Sequence, residues 1–174
     1  MLEELARLRA AGLKIGVTVT GPKQSEVLRR ALAVTVKGER LFDCVQATWN
    51  LLEQSAGGGL KEAHDAGLGV IVKEALANGR LTERNFDPAF APKRQLLTAA
   101  AARLNTSMDA LAMAAVLAQP WVDVVLSGAA NIDQLDSNVA AQFVQWDMEA
   151  NERLSSLVES PADYWTTRSN LVWN

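Results

Sequence analysis

The chain has 174 residues, 49% hydrophobic and 21% charged, the balance of a soluble globular domain with a sizeable core. Its net charge of −3 leaves no electrostatic case for nucleic acid or an anionic membrane surface. No stretch reaches the roughly 18 uninterrupted apolar residues of a membrane span, and the charged start lacks the apolar centre of a signal peptide, so the expected compartment is the cytoplasm.

Leu2, Leu5 and Leu8 recur every three residues among good helix formers, which predicts a helix over 1–11 ended by Gly12. Residues 13–19 are short and β-branched, a strand broken by Gly21-Pro22. Apolar spacing at Val27, Leu28, Ala31 and Leu32 predicts a helix over 24–36. The next strand is 42–48. It contains the only cysteine, Cys44, which excludes an internal disulfide and reads as a buried core thiol. Gly57-Gly58-Gly59 reads as a flexible loop before a short helix, 60–66, stopped by Gly67. Residues 68–72 form a strand, and 76–92, with Gly79, Pro88 and Pro92, form a long loop.

A helix is expected over 94–104. Thr106 and Asp109 have capping-box spacing ahead of the alanine-rich run 110–118, which Pro120 ends. A strand follows at 122–126, then helices at 132–144 and 148–158, and an irregular aromatic tail to Asn174. Strands alternating with helices imply an α/β fold with a parallel sheet and crossover helices. The strands read as apolar on both faces, as a sheet covered on both sides requires. About four strand–helix units are visible, whereas a closed barrel of this type needs eight strands and about 250 residues.

Four segments, taken in order, resemble the aldo-keto reductase family. Lys14-Ile15-Gly16-Val17-Thr18 is similar to the fifth barrel strand, and Val45-Gln46-Ala47-Thr48-Trp49-Asn50-Leu51-Leu52-Glu53 to the sixth. Gly69 to Lys73, running into Leu76-Ala77-Asn78-Gly79-Arg80-Leu81, resembles the seventh strand and its loop. Gln119-Pro120-Trp121-Val122 through Ser127-Gly128-Ala129 to Gln134, Leu135 and Asn138 resembles the eighth strand and the helix after it. The resemblance implies a parallel (β/α) half-barrel, strands five to eight of a TIM-type barrel. Residues 1–148 would supply the βα units and 149–174 a C-terminal helix and tail of one domain.

It also implies a site for NADP or NAD. Thr18 and Gln46 would hold the nicotinamide carboxamide, while Val19 stands where the family has an asparagine. Lys73 stands where an aromatic often stacks on the nicotinamide; a lysine meets phosphate or carboxylate as a point charge instead. Leu76 belongs to the loop signature. Ser127, Gly128, Ala129, Gln134 and Asn138 correspond to the adenosine-phosphate site, where a Gly turn before a helix N-terminus offers free amides to an anion. Plainer readings stand beside these: a buried amide for Gln46, strand propensity for Thr18, a solvated Lys73–Glu74 edge, and a simple βα turn capped by Asn131.

The family's catalytic Asp, Tyr, Lys and His lie on the first four strands, to which no segment here corresponds. The one tyrosine, Tyr164, is in the tail, and the one histidine, His64, is expected on the barrel's outer surface. Whether the chain is an enzyme is therefore left open. The expectation is a carbonyl or alcohol oxidoreductase fragment that binds the cofactor, inactive alone, with a missing N-terminal half as partner. The alternative is a non-catalytic half-barrel pairing with a second copy, because an open half-barrel exposes sticky edges and predicts a homodimer or poor solubility. A third reading is a binder of simple phosphate ligands on the same loop.

Overall fold

The computed structural model describes residues 1–171. In chain order the elements are α1 (Leu2–Ala10), β1 (Gly16–Thr18), α2 (Gln24–Leu32), β2 (Thr35–Val36), β3 (Glu39–Arg40), β4 (Cys44–Thr48), α3 (Gly57–Asp65), β5 (Gly69–Lys73), α4 (Ala91–Arg103), α5 (Met108–Leu117), β6 (Val124–Val125), α6 (Ile132–Ala140), α7 (Met148–Leu154) and α8 (Pro161–Ser169). Four strands make one parallel sheet in the order β1-β4-β5-β6, with Thr18 beside Gln46 and Gln46 and Val124 on either side of Ile71. This is the strand order of half a (β/α)₈ barrel.

Side chains alternate across the sheet, and the two faces differ. Val45, Ala47, Val70 and Val72 are fully buried on the outer face, in one cluster with Leu28 of α2, Leu60 and Ala63 of α3, and Met113 of α5. The opposite side of α5 joins a second cluster: Leu111 and Ala115 pack with Leu97 of α4, Leu154 of α7 and Tyr164 of α8. Alanines on both sides let α5 pass between the two layers. At the amino ends of the strands, carboxylates bind backbone amides. Ile15 N–H donates to Asp43 Oδ2 at 2.9 Å, and Val70 N–H to Asp123 Oδ2 at 2.7 Å.

The inner face is open. Gly16, Thr18 and Val124 are exposed, and Cys44, Gln46, Ile71 and Lys73 are half-buried. The sheet is therefore covered on one face only, and Cys44 sits on the open face rather than in the core.

Four local expectations are also corrected. The helix at 24–36 stops at Leu32, and β2 and β3 form an antiparallel hairpin. Lys37 and Gly38 at its tip have φ of 54° and 84°, the left-handed pair of a two-residue hairpin turn. The three glycines lie inside α3, not in a loop. A Cβ on Gly59 would come within 3.1 Å of Ser25 Cα, so glycine lets α3 pack closely on α2. The cap of α5 is Ser107, whose Oγ accepts the Ala110 N–H at 3.1 Å, rather than Thr106. The tail is not irregular: α8 is capped by Ser160 and started by Pro161. Val172, Trp173 and Asn174 lie outside the described residues.

Candidate functional site

The carboxyl ends of the parallel strands, where barrel enzymes carry their chemistry, hold the first three residues expected at the site. Thr18 ends β1, Gln46 lies near the end of β4, and Lys73 ends β5. Their side chains form a chain of hydrogen bonds. Lys73 Nζ donates to Thr18 Oγ1 at 3.2 Å, and Thr18 Oγ1 donates to Gln46 Oε1 at 3.0 Å. The Gln46 carbonyl is thus occupied. Burial pushes the Lys73 pKa down, partly opposed by Glu74 and reinforced by Arg168.

The turn after β5 is the most strained backbone here. Glu74, Ala77 and Asn78 take left-handed φ of 58°, 48° and 53°, a conformation that costs non-glycine residues about 1 kcal/mol or more and gathers at functional sites. Two contacts hold Glu74 in place. Asn50 Nδ2 donates to its backbone carbonyl at 2.9 Å, and Arg168 of α8 grips its carboxylate with Nε at 3.0 and 3.1 Å. Asn50 is fully buried and fully used. Its Nδ2 also donates to the Tyr164 hydroxyl at 3.0 Å, and its Oδ1 accepts the Leu52 and Glu53 amides. Burial drives the Tyr164 pKa up, against the Asn50 hydrogen bond.

Beside this turn a cavity of about 740 Å³ is lined by Glu74, Leu76, Asn78, Arg84, Ser127 and Gly128, among others. That volume falls within the range of small-molecule and cofactor sites. Arg80 walls it by pairing with Glu159 at 2.7 and 2.9 Å. Across the cavity, β6 leads through Ser127-Gly128-Ala129 into α6. Asn131 Oδ1 caps α6 by accepting the Gln134 N–H at 2.9 Å, and Gln134 Oε1 accepts the Ala130 N–H at 2.8 Å. The Gln134 carbonyl is therefore spent on holding the loop. Asn138 Nδ2 donates to Ser127 Oγ at 2.9 Å, whereas its buried Oδ1 has no partner.

The expected residues form two groups joined by the Lys73–Glu74 step: Thr18, Gln46 and Lys73 on the open face, and Leu76, Ser127, Gly128, Ala129, Gln134 and Asn138 around and behind the cavity. Sequence reasoning missed Glu74 as a cavity wall, and Arg84, which makes no ion pair among the described residues. Both lie in or next to the long segment after β5; a loop following a barrel strand at its carboxyl end was itself the signal. His64 lies on α3, part-exposed beside Asp65 and away from the site.

This geometry is that of the carboxyl-end half of a TIM-type barrel. The sequence profile of the Aldo/keto reductase family matches residues 1–159, and the chain belongs to that family. Its fold is similar to aldo-keto reductase AKR11C1 from Bacillus halodurans in the holo form (17% identity, TM-score 0.69), covering 91% of this chain and 55% of that one. It is similar also to the thermostable aldo-keto reductase Tm1743 in complex with the inhibitor epalrestat (21% identity, TM-score 0.70), covering 90% of this chain and 53% of that one. The chain thus spans a little over half the length of these structures. No curated protein matches it. Among the described residues, no helix is long and apolar enough to cross a membrane.

Proposed function

We propose that this chain is the cofactor-binding half of an NAD(P)H-dependent carbonyl or alcohol oxidoreductase, inactive without a complementary half-barrel. The observation that carries the reading is the meeting of two polar groups at one end of the sheet, the Thr18–Gln46–Lys73 chain and the Ser127–Gly128 turn, on either side of a strained loop and a cavity of cofactor size. The residues fit the phosphate end of a dinucleotide. Gly128 has open space around its backbone, Arg84 offers a cation across the cavity, and the N-terminus of α6 lies close behind.

At the other end, Gln46 keeps its Nε2 donor for a carboxamide oxygen, since its carbonyl is bonded to Thr18. When bound, the cofactor supplies the hydride. The proton would have to come from outside this half: the only tyrosine, Tyr164, is 1% exposed and hydrogen-bonded to Asn50. Titration of the chain with NADPH and NADH, followed by nicotinamide fluorescence, tests the reading. Micromolar binding without carbonyl reduction is the expected result; no binding at millimolar cofactor overturns it.

The open inner face favours a second reading, a non-catalytic half-barrel in which two copies close one eight-stranded barrel. Pairing would cover Ile71 and Val124 and remove the free edges of β1 and β6. In that case the chain sediments as a dimer and has no affinity for the cofactor.

A further inference from the structure

We propose that Lys73 makes the nicotinamide end of the site selective for redox state, so that the chain binds the reduced, neutral ring and discriminates against the oxidised, cationic one. The inference rests on the cofactor-binding reading above. It starts from a chemical mismatch: the side chain closing the open-face cluster is a cation, not a ring. Lys73 Nζ lies 3.2 Å from Thr18 Oγ1, which lies 3.0 Å from Gln46 Oε1. A carboxamide that accepts from Gln46 Nε2 would put the attached ring on the same open face that carries Nζ.

Glu74 offsets that charge only in part. Glu74 is the nearest carboxylate in sequence, and Arg168 holds it in a bidentate grip on the other side of the turn. Lys73 makes no ion pair among the described residues. It is also half-buried, which strengthens its field over that of a fully solvated lysine. The oxidised and reduced cofactors share the same phosphates, ribose and adenine, so every contact around the cavity cancels in the ratio of their affinities. What remains is one positive charge on the oxidised ring facing one on Lys73. Partial solvent screening leaves a discrimination of roughly tenfold.

Calorimetric titration of the full chain with NADH and with NAD⁺, in low and high salt, reads this directly. The native chain is expected to bind NADH about tenfold tighter, with the gap narrowing as salt rises. Lys73→Gln should bring the two affinities within about twofold, by improving NAD⁺ rather than weakening NADH, and Lys73→Arg should keep the preference. Equal affinities in the native chain, or a ratio untouched by Lys73→Gln, overturn the inference while leaving the cofactor reading standing. Failure to bind either form overturns both.

Discussion

On the outer side of the sheet, Val45, Ala47, Val70 and Val72 are sealed beneath α2, α3 and α5. On the inner side of the same two strands, β4 and β5, Cys44, Gln46, Ile71 and Lys73 are only half-buried. The backbone is identical for both, so the difference lies in what covers each face. The outer cover comes from this chain's own crossover helices and carries the stability. The inner cover, in a closed barrel, comes from the other half, and the inner face carries the polar groups that could bind a ligand. Stability and chemistry are thus divided between opposite sides of the same five-residue strands.

Paired substitutions test that division most severely. Leu60→Ala, beneath the outer face and fully buried, should cost about 3 kcal/mol by chemical denaturation. Ile71→Ala, on the inner face, should cost under about 1 kcal/mol, since its side chain already meets water. If the inner face is covered by a second copy in solution, the Ile71→Ala cost would instead depend on protein concentration. Equal, concentration-independent costs would break the comparison.

A somewhat smaller effect is expected where the two sides meet, at the carboxyl ends of the strands. Asn50→Ala strands the Tyr164 hydroxyl, the Glu74 carbonyl and two backbone amides. It should lower stability by about 2 kcal/mol and free α8 from the turn after β5. Hydrogen exchange should quicken first in 161–169; if it quickened evenly over the chain, Asn50 would be only a core residue.

The strands and their parallel order were legible in the sequence because β-branched runs recur between helical ones, and the ordered motifs located Thr18, Gln46 and Ser127-Gly128 at one end. The open face was legible too but misread: in Cys44-Val-Gln-Ala-Thr48 polar and apolar residues alternate, the pattern of a strand covered on one side. Less accessible were features fixed by distant contacts. The glycines of α3 look like a loop until Ser25 and Leu28 approach them, and α8 looks irregular until Arg168 finds Glu74, ninety-four positions away. Arg84 could not be assigned to the cavity because the loop that carries it has no periodicity; its path is set by Arg80 binding Glu159.

The finest distinction between the two sides concerns what burial does to a polar group. Thr18 and Gln46 keep their contact with water, so their polarity costs little. Glu53, just beyond β4 on the closed side, is fully buried; Ser55 binds one carboxylate oxygen and the other, Oε2, has no partner. Burial pushes its pKa up, against the Ser55 hydrogen bonds and with help from Glu159. A carboxyl that holds its proton more tightly when folded adds stability below the ordinary value of 4.5, and that stability drains away as pH rises from there through the raised value. Glu53→Gln removes the ionisation, so the variant should melt slightly above the native chain at pH 8 and show no such advantage at pH 4. An advantage that persisted unchanged at pH 4 would mean that shape, not charge, sets the cost of Glu53, and that the closed side tolerates a buried carboxylate as readily as the open side tolerates Gln46.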